Sequence, residues 1–165
     1  MCLGMNVVDD RGDELRAIVT GIFLHPDLGK VEGLFVRGFS GEEFLSVQDI
    51  AHWGGTIVVR DGDVIAPLEE RVRLSALRDE GRTILGQKVV TREGQTIGTC
   101  VDVQFETETF RLEWIFPRRF LRWKRPIPAG AIVEVRTDAV CVRDEELPLE
   151  QPTEEATGLS PLETV

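Results

Sequence analysis

The chain has 165 residues, of which 42% are hydrophobic, and its formal net charge at pH 7 is −10. Seven acidic residues and no lysine or arginine fall within residues 144–165, so the remaining residues carry only −3. This part lacks the basic footprint that general binding to nucleic-acid phosphates requires, and no apolar run approaches the ~20 residues that cross a bilayer.

The N-terminal residues Met1 to Asn6 contain no basic region followed by an apolar one, so they do not indicate a signal peptide. The three cysteines are odd in number and form no C-x-x-C pair. This pattern disfavours a disulfide framework or a zinc site and suits a reducing compartment. We therefore expect a soluble, cytoplasmic protein.

Turn residues divide the first part of the chain into short predicted strands. Asp10-Arg11-Gly12 and Pro26-Asp27-Leu28-Gly29 are typical of turns, and Gly54-Gly55 precedes the apolar run Ile57-Val58-Val59. Strands this short are not stable alone, and closing them into a barrel removes their exposed edges. We predict one small barrel over residues 1–66.

The next segment, residues 67–83, is a predicted helical linker. Pro67 suits a first helical position, and Gly81 ends the run after Asp79. We expect the helix to dock in a groove between two barrels. The face predicted to make that contact consists of Leu68, Val72, Ala76 and Leu77.

Residues 84–144 repeat the first part of the chain. With Leu3-Gly4 set against Leu85-Gly86, an offset of 82, Val19 meets Val101 and Phe23 meets Phe105. We place a deletion of one residue in the following turn. The pairing then continues with Val31 and Leu112, Leu45 and Ile127, Ile50 and Ile132, and Val59 and Val142. The ordered series predicts two copies of one module.

The second copy also suggests a family. The stretch Ile84-Leu85-Gly86-Gln87-Lys88-Val89-Val90-Thr91-Arg92-Glu93-Gly94-Gln95-Thr96-Ile97-Gly98-Thr99-Cys100-Val101-Asp102-Val103 resembles the opening of a PRC-barrel domain. The Ile127-Pro128 to Ile132 segment is similar to that domain's closing stretch. The first copy resembles it more loosely, with Arg16 where the second has Gly98.

The resemblance implies a mostly β fold of two small antiparallel six-stranded barrels that serve as adaptors. They would be joined by the short linker helix and followed by an acidic, disordered tail over residues 145–165. Family members include the cytoplasmic domain of the photosynthetic reaction-centre H subunit and a ribosome-maturation factor. The resemblance therefore implies two further functions: a peripheral or assembly subunit of such a membrane complex, and an accessory factor in RNA processing or ribosome maturation.

No arrangement of residues in the sequence indicates a reaction. Hydrolase, P-loop and dinucleotide motifs are absent, and His25 and His52 are predicted to be solvated loop residues. Asp102 could be a buried carboxylate with a raised pKa, but hydrogen bonding to nearby backbone is the favoured role. Cys100, aligned with Ile18, is predicted to pack in the core rather than to act as a nucleophile. We predict no enzyme activity, no catalytic residue, no cofactor and no metal site.

One segment, residues 116–126, combines five cations with three aromatic rings. The residues predicted to bind a partner are Phe116, Arg118, Arg119, Phe120, Arg122, Trp123, Lys124 and Arg125. Arginine and tryptophan are common at the centres of protein interfaces, so a protein partner or a second copy of the chain is the favoured hypothesis. An anionic membrane surface is the next alternative, and RNA is disfavoured. A hairpin loop that is only solvated explains the composition as well as a protein interface does.

Overall fold

A computed structural model describes residues 2–10 and 14–143, so the predicted acidic tail and the turn at Gly12 lie outside the described residues. These described residues are mostly β, with two sheets and one α-helix between them in the sequence. The first sheet comprises β1 (Asn6–Asp9), β2 (Leu15–His25), β3 (Lys30–Gly38), β4 (Gly41–Ser46), β5 (Ile50–Trp53) and β6 (Ile57–Val59). The helix, α1, is Val72–Asp79. The second sheet comprises β7 (Lys88–Thr91), β8 (Thr96–Phe105), β9 (Leu112–Arg119), β10 (Arg122–Trp123), β11 (Ile127–Pro128), β12 (Ile132–Val135) and β13 (Ala139–Val142).

The two sheets have equivalent strand orders, β4-β3-β2-β1-β6-β5 and β10-β9-β8-β7-β13-β12, with β11 also paired to β9. The prediction of purely antiparallel, six-stranded units is wrong in two respects. Each sheet contains one parallel pair, β1 with β6 and β7 with β13. In each pair, the first and last strands of a copy run in the same direction. The second sheet has seven strands, since the chain between β9 and β12 forms two short strands instead of one.

The strand register corrects the predicted alignment of the two copies. Val7 pairs with Ala17 and Val89 pairs with Gly98, while the amides of Gly4 and Gly86 donate to the carbonyls of Val19 and Cys100. Cys100 is thus equivalent to Val19 and not to Ile18. The one-residue difference lies in the turn after the first strand of each copy, not in the later turn where the alignment placed it. All residues of β2 and β3 are therefore 81 positions from their equivalents.

The predicted helix is interrupted, and its buried face differs from the expected one. A 3₁₀ turn at Leu68–Glu70 ends at Arg71, whose ψ of 77° breaks the helical run before α1 begins. The break rotates the following residues, so Leu74 and Leu77 are buried whereas Val72 is 80% exposed. Ala76 is also exposed. Leu68, Leu74 and Leu77 pack against aromatic residues of the first sheet, not into a groove between two units.

The two sheets share a core and a stretch of backbone pairing. Leu24 of β2, Val31 of β3 and Val47, which follows β4, belong to the main hydrophobic cluster of the second sheet. The Val31 amide donates to the Phe110 carbonyl at 2.8 Å, and the Leu112 amide donates to the Gly29 carbonyl at 2.9 Å. These contacts join the β2–β3 turn to the β8–β9 turn. The part of the chain that the structure describes contains no helix long and apolar enough to cross a membrane.

Candidate interaction surface

The basic and aromatic segment forms a β-hairpin that extends the edge of the second sheet. Phe116 to Arg119 lie in β9, and β10 returns beside them with Arg122 opposite Arg119 and Trp123 opposite Arg118. Phe120 lies at the tip with a φ of 55°, a left-handed conformation that is uncommon for a bulky residue. The predicted segment is therefore mostly an ordered hairpin.

The hairpin exposes large apolar side chains. Phe120 is 88% exposed, Leu121 is 92% exposed and Trp123 is 60% exposed. Singly exposed apolar residues are common on protein surfaces, whereas contiguous ones mark interaction sites. Three such residues within four positions of one hairpin make this tip a candidate contact surface, which we call the basic hairpin (residues 118–123).

The arginines of the segment surround these apolar side chains. The Arg118 guanidinium lies over the Trp123 ring, 5.7 Å from its centroid, which holds the indole in place by a cation–π contact. Arg119 donates to the Thr96 carbonyl at 3.3 Å. Arg118, Arg119, Arg122 and Arg125 form no ion pair with any residue in the described ranges. Their charges are available to a negatively charged partner.

The remaining predicted site residues do not join the tip. Phe116 is half-buried, and Phe116 and Arg125 line a shallow cavity of about 350 Å³ with Gln104, Trp114 and Pro126. Lys124 is half-buried, and its amide donates to the Pro117 carbonyl at 2.9 Å. The sequence interpretation missed Leu121 and Trp114 as surface residues. The alternation Trp114, Phe116, Arg118 on one face of β9 is the signal that could have identified Trp114.

The first sheet carries an equivalent hairpin with different chemistry. At the 81-residue offset, Phe39 corresponds to Phe120 and is 93% exposed. Glu42 and Glu43 occupy the places of Trp123 and Lys124. The two hairpins share an exposed phenylalanine at the tip, but only the second adds tryptophan and several arginines that form no ion pair with a described residue.

The two histidines and Asp102 either form local hydrogen bonds or are exposed. His25 Nδ1 accepts hydrogen bonds from the Asp27 and Leu28 amides, which stabilises the β2–β3 turn. A carboxylate oxygen of Asp102 accepts from the Val103 amide at 2.8 Å, in line with the favoured prediction. His52 is exposed. Among the described residues, no group of three or more His, Cys, Asp or Glu is arranged to hold a metal ion.

Cys100 is fully buried, in agreement with the prediction of a packed core residue. Burial raises the pKa of its thiol to about 11, above the value of about 8.5 for a free cysteine. A thiol that stays protonated at neutral pH is a poor nucleophile. The equivalent residue of the first sheet, Val19, is apolar and buried, so this position serves packing.

We expect Cys100 to react slowly with iodoacetamide in the native protein at neutral pH and quickly in urea. As the pH rises above about 8.5, the unfolded chain loses the thiol proton first, because the folded-state pKa is about 11. The free energy of unfolding should therefore fall over this interval, and the loss should be smaller in Cys100→Ala. Mass spectrometry of alkylated peptides and urea titrations at several pH values measure the two effects. Rapid native alkylation of Cys100 would contradict the packing role.

No protein-family model matches this chain, and no curated protein matches its sequence.

Proposed function

We propose that this protein is a non-enzymatic interaction module that binds an acidic surface of a protein partner through the basic hairpin. The observation that carries the proposal is the exposure of Phe120, Leu121 and Trp123 beside arginines that have no ion-pair partner among the described residues. Aromatic residues and arginine supply much of the energy of protein interfaces. Unpaired positive charges favour a partner of opposite sign and speed its association.

The fold proposal that accompanies this function is a tandem pair of PRC-type barrels over residues 1–66 and 84–144. The common strand order of the two sheets supports a tandem repeat of one module, and the parallel pairing of first and last strands in each sheet departs from the all-antiparallel barrel that the resemblance implies. The resemblance of residues 84–103 to the opening of that domain adds the expectation of an adaptor role. β4 and β5 are the two edge strands of the first sheet. Among the described residues they are not hydrogen-bonded to each other, so backbone pairing does not close this sheet into a complete barrel.

The test compares partner capture by hairpin variants and by a matched control. Full-length protein would be used to capture partners from cells that express it, with Phe120→Ala plus Trp123→Ala as the hairpin variant. Phe39→Ala changes the equivalent exposed tip of the first sheet and serves as the control. We expect the wild type and the control to retain a common acidic partner, and the variant to lose affinity on the order of 30-fold, about 2 kcal/mol.

The affinity of the identified partner should also fall with added salt, because exposed charges are screened. Equal affinity of all three proteins for their partner would overturn the proposal. Binding that depends on the hairpin but is directed to anionic vesicles or to single-stranded RNA would also overturn it, in favour of the membrane or RNA alternative. Self-association lost in the hairpin variant would identify a second copy as the partner, with Glu42 and Glu43 as the acidic surface. Thermal unfolding of each variant establishes that the fold is retained.

A further inference from the structure

A cavity of about 340 Å³, which we call the joint cavity, lies where the two copies meet. The first copy lines it with Cys2, Met5 and Trp53, and the second copy lines it with residues 102–105 and Phe116. Cavities of this size accommodate small molecules. No residue of the basic hairpin borders it, so it is separate from the surface that is proposed to bind a protein.

Three aromatic rings border the joint cavity. Trp53, Phe105 and Phe116 are all half-buried there. The Trp53 and Phe105 rings meet at 89°, with their centroids 5.5 Å apart, so their planes form adjacent walls. The Phe110 ring also contacts Trp53, at 5.9 Å between centroids, and helps to fix the indole. Because the faces of aromatic rings attract positive charge, such walls favour a cationic ligand.

Asp102 supplies the only charged side chain among the described residues that line the joint cavity. One of its carboxylate oxygens accepts a hydrogen bond from the Val103 amide at 2.8 Å. The other oxygen accepts no hydrogen bond, and the carboxylate forms no ion pair, with any described residue, including Arg125 of an adjacent cavity. The Cys2 thiol adds no negative charge at neutral pH, because burial raises its pKa. The Asp102 carboxylate is therefore available to a bound cation.

The first copy has no counterpart of this carboxylate. At the 81-residue offset, Gly21 takes the place of Asp102, and it pairs with Phe35 as Asp102 pairs with Phe116. A methyl group on Gly21 would lie 3.2 Å from the Phe35 ring, so this ring packs directly on the strand. The fold therefore does not require an acidic residue at this position, and packing alone does not explain Asp102.

The walls also indicate which kind of cation fits. A metal ion needs several oxygen, nitrogen or sulfur ligands, and among the described residues no group of three or more His, Cys, Asp or Glu is arranged to hold one. A primary ammonium group has three hydrogen-bond donors, and donors that are buried without acceptors are costly. A quaternary ammonium ion donates no hydrogen bond and carries its charge beneath alkyl groups, so aromatic walls with a nearby carboxylate suit it.

We propose that the joint cavity binds a small quaternary ammonium ion. Trp53, Phe105 and Phe116 surround its alkyl groups, and the Asp102 carboxylate is the counter-ion. The site goes beyond the interaction proposed for the basic hairpin and does not rest on it, because none of residues 118–123 lines the cavity. Since both copies line the cavity, a bound ligand would also stabilise the contact between them.

Titration of the full chain with choline, followed by nuclear magnetic resonance, tests the proposal. We expect the indole N–H resonance of Trp53 to shift with choline concentration until the site is saturated, while that of Trp123 in the basic hairpin does not shift. The matched ligand is the uncharged alcohol in which a tert-butyl group replaces the trimethylammonium group. It has the same shape but lacks the positive charge, so its affinity should be about tenfold lower.

Two variants test the role of the Asp102 charge. Asp102→Asn keeps a side-chain oxygen for the Val103 amide and should bind choline about tenfold more weakly. Asp138→Asn removes one negative charge from an exposed position outside the cavity and should bind choline like the wild type. Thermal unfolding establishes that both variants are folded.

A Trp53 resonance that does not respond to choline would overturn the proposal. Equal affinity for choline and the uncharged alcohol, or unchanged choline affinity in Asp102→Asn, would also overturn it, because the charge would then not be recognised. A shift of the Trp123 resonance in place of that of Trp53 would place the cation on the hairpin and would contradict the proposal as well. Partner capture by the hairpin variants is a separate measurement, so failure of the proposed function is distinguishable from failure here.

Discussion

Replacing Phe44 with alanine is expected to lower the free energy of unfolding by about 3–5 kcal/mol, the usual range for removing a buried aromatic ring. Phe44 is fully buried, and its ring centroid lies 6.0 Å from that of Phe23 and 5.6 Å from that of Phe35. The ring also covers Gly33, where any side chain would collide with it. Because strands and the leucines after β6 enclose it, the resulting cavity can collapse only in part. Urea-induced unfolding followed by circular dichroism measures the loss.

Phe39→Ala is the control for this substitution. Phe39 is in the same hairpin, in the turn between β3 and β4, and is 93% exposed. Surface substitutions of this kind change stability by about 0.5 kcal/mol or less. If the two variants were destabilised equally, the aromatic cluster would not be part of the core.

Gly98→Ala is expected to destabilise the protein by about 1–3 kcal/mol, the usual cost of overpacking. A methyl group on Gly98 would lie 2.7 Å from the carbonyl oxygen of Arg118 and 2.9 Å from its carbonyl carbon. Both atoms are backbone, so β9 must move away from β8 at the base of the basic hairpin. The first sheet has Ala17 at the equivalent position, so a methyl group is compatible with this fold once the neighbouring strand shifts. We therefore expect weaker stability and a displaced hairpin, not failure to fold.

Unfolding in urea measures the stability change, and amide hydrogen exchange of residues 118–123 reports the displacement. Gly130→Ala is the matched control, because a methyl group there would have no heavy atom within 4 Å. The control should leave both measurements unchanged. A Gly98→Ala protein with wild-type stability and wild-type exchange would show that β8 and β9 are not held as closely as their backbone distance indicates.

Much of the fold follows from local patterns in the sequence. The predicted turn Pro26-Asp27-Leu28-Gly29 separates β2 from β3, and the apolar run Ile57-Val58-Val59 forms β6, because turn residues and apolar runs define strands locally. The parallel pairing of β1 with β6 does not follow from such patterns, since it joins residues that are about fifty positions apart. The repeat was detectable because apolar positions recur in the same order.

The alignment error has a physical reason. The turn between Val8 and Leu15 is one residue longer than the one between Val90 and Thr96, and each first strand pair has a register shift beside it. Both alignments match apolar residues of one copy with apolar residues of the other, since Val19 can be aligned with Cys100 or with Val101. A slip of one residue exchanges the two faces of a strand. Burial and hydrogen bonding resolve it, and neither can be read from the sequence.

The sequence identified the segment that forms the candidate surface, but not how its side chains are arranged. The density of arginine and aromatic residues identified residues 116–126, because such clusters are rare in an acidic chain. The pattern could not show that Phe116 and Arg125 face a cavity with Trp114 while Trp123 stacks under Arg118. Those positions depend on the pairing of β9 with both β10 and β11.

The hydrogen bonds between the β2–β3 and β8–β9 turns have a consequence for how the repeat can change. Because Leu24 and Val31 contribute to the core of the second sheet, deleting the first copy would open the hydrophobic interior of the second, and deleting the second copy would expose these two side chains. The two copies are therefore expected to unfold in a single cooperative transition. A destabilising substitution in one copy would therefore lower the stability of both. Surface residues of each copy can change without affecting the contact between the copies, whereas residues at that contact are constrained by both.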